Sequence, residues 1–169
     1  FILALLTTAG LTALGPQENS LGNAVRVVYL HGAWVLTAEV ALGLAAATGL
    51  LGILFRRESL QRWSTALGYT GLVFWVTYLP LSLWAMQANW NGLFLAEPRF
   101  RVAVIFSVTG VLLQIGLILL AKPAFTALFN VLFFVALRIG LSRADYVMHP
   151  PPSPIFSSGV LSLKLFLER

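Results

Sequence analysis

Long apolar runs separated by short polar and charged clusters divide this chain. Complete runs occupy residues 27–55, 63–87, 101–121 and 124–145, with partial runs over 1–15 and 159–169 at the two ends. At about 1.5 Å per helical residue, each complete run is long enough to cross a hydrocarbon layer of roughly 30 Å. The 27–55 run exceeds that thickness, so its ends must emerge into the headgroups or the helix must tilt. The stretch 101–145 is too long for a single span. Lys122 and Pro123 mark its break, because proline opens a helix comfortably but cannot continue one. The fourth and fifth helices are therefore expected to form a tight hairpin. The pattern predicts an all-α fold: a polytopic transmembrane helix bundle forming a single domain over residues 1–169, with four complete spans and partial first and last helices.

The first run is apolar from Phe1 and lacks a charged n-region, so it does not read as a signal peptide. It is expected to be a helix without its beginning, and Gly159 to Arg169 the opening turns of another helix that stops short of a crossing. Counting crossings places 16–26, 88–100 and 146–158 on one face, and 56–62 and 122–123 on the other. All three longer connections share a face. Both histidines of the chain fall there: His31 about one turn inside the second helix, and His149 after the fifth, just before Pro150, Pro151 and Pro152. Charge does not choose which face is cytoplasmic. Arg56, Arg57, Arg62 and Lys122 flank the short connections, while Arg26, Arg99, Arg101 and Arg143 flank the long ones, a tie where the positive-inside rule expects a bias.

Composition narrows the chemistry. With 59% hydrophobic and 10% charged residues and a mean hydropathy of +0.87, the chain lacks the polar surface of a soluble domain. Cysteine is absent, which excludes disulfides, thiolate metal sites and a cysteine-bearing haem attachment motif. A metal would need imidazole, thioether or oxygen ligands. The net charge of +5 reads as loop anchoring at the membrane, so no nucleic-acid partner is expected. There is no nucleophile and base pair, phosphate loop or metal-hydrolase spacing, and no enzyme activity is expected.

Neutral imidazole is a strong ligand for haem iron, and two from different helices make a six-coordinate site without a position for oxygen. His31 and His149 can form such a pair for haem b; each can instead be a hydrogen-bonded structural residue near the interface. Met148 and Met86 are backup ligands. A carboxylate-bearing ligand would explain Arg26, Arg99, Arg101 and Arg143, which can equally be anchors that snorkel. The connection from Trp90 to Arg99 is apolar for a water-exposed loop. Its Trp90 and Phe94, with Trp84, could pack on a macrocycle or form an aromatic belt. Glu97 followed by Pro98 reads as the start of a helix, with the carboxylate near its positive end.

Glu39 is the one acid inside a predicted span, roughly 12 Å deeper than His31 along the same helix. Intramembrane acids are functional candidates by default. Glu39 could relay protons, as a proton-coupled transporter would require. It could also pair with Arg138, or be protonated and bonded to Gln114 or Thr77. Gly43, Ala47, Gly49 and Gly52 are spaced for close helix packing, and Pro80 is expected to kink the third helix.

The segment Arg26-Val27-Val28-Tyr29-Leu30-His31 resembles the start of the second helix in the cytochrome c maturation protein CcmC, of the haem-handling superfamily that includes CcsA and CcmF. The resemblance covers roughly residues 1 to 160. It extends to the six-helix order, the external linker between helices three and four, here Trp90 to Arg99, and a second external histidine, here His149. It implies that His31 and His149 are the axial haem ligands on the extracytoplasmic side of a bacterial inner membrane. The family's Trp-rich motif, which supports the haem face and partner contact, is matched in part. Trp90 and Arg99 match, Glu97 replaces an Asp, and Leu93, Phe94 and Ala96 stand where the family has tryptophans. The implied partners are haem, an ATP-driven transporter and a membrane-anchored haem chaperone. The eroded motif leaves a second expectation, a non-catalytic membrane subunit of a larger energy-transducing complex.

Overall fold

A computed structural model describes residues 2–17 and 21–145. Five helices follow in order: α1 (Ile2–Ala13), α2 (Val25–Leu54), α3 (Glu58–Trp90), α4 (Pro98–Leu120) and α5 (Pro123–Arg143). Among the described residues the regular structure is helical, as the apolar runs predict. Helices α2 to α5 are each long and apolar enough to cross a membrane. Four spans with no lipid-exposed strand edge answer the demand that backbone polar groups be satisfied inside a bilayer. His149 and the 146–169 segment lie outside the described residues.

Each long helix starts ahead of its apolar run, and α3 outruns its own by several residues at both ends. Hydropathy marks the part of a helix inside hydrocarbon, whereas the helix itself continues until something stops it. At its start, Glu58 and Arg62 form an exposed i,i+4 ion pair at 3.0 Å, which supports a polar opening turn. At its end, Asn91 adopts the left-handed conformation (φ 52°) that closes a helix. The two connections flanking α3 accordingly shrink to 55–57 and 91–97, the other two shift to 14–24 and 121–122, and Trp90 and Arg99 belong to helix ends rather than to a loop.

The hairpin between α4 and α5 forms as expected. Ala121 closes α4 in the left-handed conformation, Lys122 is extended and Pro123 opens α5. Glu97 and Pro98 likewise open α4, with Glu97 at the N-cap position and buried.

Helix α2 packs most extensively on α3 and also meets α5, while α3 touches both α4 and α5. The core between them contains Ala38 and Leu42 of α2, Trp75 and Tyr78 of α3, Ala103 of α4, and Phe133 and Leu137 of α5. Small residues let the backbones approach: a Cβ on Gly49 would stand 2.8 Å from the Ala127 carbonyl oxygen of α5 and from Ser64 Oγ of α3. Gly52 is held similarly against Gln61, and Gly43 lies against the Phe134 ring. Ala47, the fourth small residue expected at this interface, is exposed.

Away from the core, a polar cross-brace ties four helices together. Ser64 Oγ donates to the Ala45 carbonyl at 2.7 Å, and Asn130 Nδ2 donates to the Ser64 carbonyl at 2.9 Å. Gln114 Nε2 completes the chain with a bond to Asn130 Oδ1 at 3.0 Å. Interhelical bonds of this kind are worth on average about 0.6 kcal/mol in a membrane. Here they fix register among helices whose apolar surfaces are otherwise interchangeable with lipid.

Candidate functional site

One end of the bundle carries the α1–α2 and α3–α4 connections and the end of α5. A cavity of about 470 Å³ opens within the helices near that end. From α2 it is lined by His31, Val35 and Glu39, whose spacing of four sets them on one helix face. From α3 come Trp75, Tyr78 and Ser82, from the first turn of α4 Arg99 and Phe100, and from the last turns of α5 Arg138, Leu141 and Ser142. Four helices thus contribute to one pocket, whose size falls within the roughly 300–1,000 Å³ usual for small-molecule sites.

Imidazole, carboxylate, phenol and guanidinium meet here. The His31 ring lies 5.6 Å from the Tyr78 ring at 59°, and Tyr78 in turn stands edge-on to Trp75 at 4.9 Å. Trp75 is fixed by its Nε1 donating to the Ala103 carbonyl at 3.3 Å. A buried aromatic ladder therefore sets the position of the imidazole. His31 Nδ1 is shielded from solvent.

Deeper in the same wall, Arg138 Nη1 donates to Glu39 Oε2 at 2.6 Å. Of the alternatives open for Glu39, pairing with Arg138 is the one the structure holds. The other neighbours are engaged elsewhere: Gln114 binds Asn130, and the Thr77 hydroxyl accepts from Trp34 Nε1 at 2.9 Å. An intramembrane acid paired in this way is compensated within the protein.

The expected site residues divide clearly. His31 and Arg99 share the cavity. Arg26 is tied to the α1–α2 connection, with Nε donating to the Gly15 carbonyl at 3.2 Å. Tyr29 reinforces that connection through its hydroxyl, which donates to Pro16. Arg101 and Arg143 are exposed and are not among the residues lining the cavity. Trp90 and Phe94 pack edge-on against each other at 5.9 Å, also outside the lining. Trp84 is exposed on the bundle surface and Met86 is buried, neither of them at the cavity wall. His149 and Met148 lie outside the described residues.

Sequence reasoning missed Tyr78 and Ser82 as wall residues and Arg138 as a binding candidate. The eight-residue step from His31 to Glu39 was the available signal, since it puts both on one face of α2. Among the described residues, no group of three or more His, Asp or Glu side chains could hold a metal ion by itself. Such a cluster is unnecessary where a macrocycle supplies four of the ligands.

The fold and cavity define the class: a multi-pass α-helical membrane protein with a polar cavity between its helices at one end. No protein-family model, curated protein or solved structure matches the chain.

Proposed function

We propose that the chain is a haem-binding membrane protein of the cytochrome c assembly type, holding haem b at the extracytoplasmic face of a bacterial inner membrane for transfer to a partner. The observation that carries this reading is the meeting of His31 and Arg99 in one cavity. They come from helices far apart in sequence, at the end where the crossing count also puts His149.

The residues present fit the group. His31 and His149 would supply the imidazoles that hold the iron. Arg99 would neutralise a propionate, since guanidinium pairs with carboxylate in a planar, charge-assisted geometry. Tyr78, Trp75 and Phe100 give the cavity apolar walls beside these polar groups, the mixture a haem pocket needs. When bound, a bis-imidazole haem is cargo or an electron carrier and leaves no position for oxygen. The implied partners are the transporter and haem chaperone of that assembly pathway, together with membrane lipid.

One observation favours a second reading. Trp90 and Phe94 pack on each other instead of joining the cavity wall, so the platform for handing haem on is reduced. A non-catalytic subunit of a larger membrane complex could keep this scaffold without that platform.

A reduced-minus-oxidised absorption spectrum of protein purified with adequate haem separates the two. Low-spin b-type bands that disappear in His31→Ala and in His149→Ala are expected; their absence from the wild-type protein would favour the subunit reading.

A further inference from the structure

The ion pair at the inner wall of the cavity is incompletely joined. Arg138 offers five N–H donors in a planar fork, yet among the described residues it meets Glu39 through a single contact, Nη1 to Oε2. The rest of its fork is not engaged. The Arg138 side chain is 55% exposed and that of Glu39 25%, so the pair leaves much of the arginine side chain uncovered. Arg138 lines this cavity together with Arg99 and Glu39, so its open donors face a site of small-molecule size.

We propose that Arg138 is a carboxylate-binding residue of this cavity, held in place by Glu39 with the open side of its fork left for a ligand carboxylate. The inference rests on the haem reading above and makes the ligand an amphipathic dicarboxylate, with Arg99 and Arg138 as the two receiving cations. Glu39 then has two roles. It compensates Arg138 within the membrane, and its negative charge opposes the approach of a ligand carboxylate to the same guanidinium. Its opposition is modest, because a partly exposed pair is worth little.

The two roles give opposite signs on substitution, which a structural part for the pair would not. The test titrates protoporphyrin IX and its dimethyl ester into the full chain in nanodiscs of zwitterionic lipid, followed by porphyrin fluorescence. Neither probe contains a metal, so axial ligation does not enter. Arg138→Gln is expected to weaken the diacid about tenfold or more, the equivalent of one charge-assisted hydrogen bond, and to leave the ester unchanged. Glu39→Gln is expected to tighten the diacid about two- to fivefold, again without effect on the ester. Because the second variant gains affinity, misfolding cannot imitate its result.

Diacid and ester responding alike to both substitutions would overturn the assignment of Arg138 alone. So would a diacid–ester difference that survives Arg138→Gln while added phosphatidylglycerol displaces porphyrin from the wild-type protein only, since Arg138 would then be holding a lipid phosphate. Failure of both porphyrins to bind the wild-type chain would overturn this inference, while the haem reading, which rests on imidazole ligation of iron, would stand or fall on the absorption spectrum.

Discussion

Replacing His31 with alanine is expected to lower haem affinity by more than the roughly 10–100-fold that loss of a second-shell partner costs a metal site. Among the described residues lining the cavity, the imidazole is the one side chain suited to ligate iron through nitrogen, and its position is set by packing on Tyr78. Removing it therefore removes a preformed ligand while Tyr78 and Trp75 remain in place. His31→Gly with added imidazole supplies the control, because a small ligand can occupy the space left by the ring. Haem titrations followed at the Soret band should show loss in both variants and recovery in the glycine variant on adding imidazole. A purely structural His31 would leave affinity near the wild-type value, or lose it without rescue.

The second large effect concerns the base of the cavity. Trp75 is 1% exposed and is the largest of the fully buried side chains. It meets Tyr78 edge-on and bonds across to the Ala103 carbonyl of α4. Trp75→Ala is expected to destabilise the bundle by about 3 kcal/mol or more, as large core truncations do. The cost arises from lost packing and the void left behind, which a lipid surround does not repair. Trp75→Phe keeps a ring and loses the hydrogen bond, and should cost about 1 kcal/mol. Helicity followed through detergent-induced unfolding measures both. Equal stability of Trp75→Ala and wild type would contradict this view of the core.

Much of the fold was legible because a membrane span announces itself by length alone. Lys122-Pro123 and Glu97-Pro98 were readable as helix starts for the same reason, since proline's fixed geometry and missing N–H act locally. The inward faces were not readable. In α4 the buried stripe is Ala103, Ser107, Gly110, Gln114 and Leu117, while Ile105, Val108, Leu112, Ile115 and Leu119 point outward. Lipid reverses the usual rule, so the largest apolar residues mark the outside and the small or polar ones the contacts. The expected glycine stripe on α2 was partly right for this reason, and failed at Ala47, which faces out.

The site was legible to the extent that parity is. The crossing count brought His31, Arg99 and the end of α5 to one end of the bundle, and the structure puts His31, Arg99 and Arg138 around one cavity there. Arg26, Arg101 and Arg143 sit at the same level, but the rotation of each about its helix axis decides whether it faces the cavity. Apolar spans carry no periodic signal from which that rotation could be read. Glu39 was conspicuous as a membrane acid, and its partner Arg138 was among the alternatives because complementary charges at similar depth seek one another. Tyr78 and Ser82 had no such mark. Their place at the wall follows from the α2–α3 packing.

The central claim is that an imidazole of this chain binds haem iron in the cavity between α2 and α5. The chain contains two histidines in all, so labelling histidine alone with nitrogen-15 marks both proposed ligands and nothing else. The most direct measurement is pulsed electron paramagnetic resonance of the ferric haem-loaded protein, purified through a tag that carries no histidine. Nitrogen-15 hyperfine coupling to iron is expected in the labelled wild type, reduced to a single ligand's contribution in His149→Ala and lost from the His31 position in His31→Ala. Bound haem with no coupling to histidine nitrogen, or coupling unchanged in His31→Ala, would contradict it.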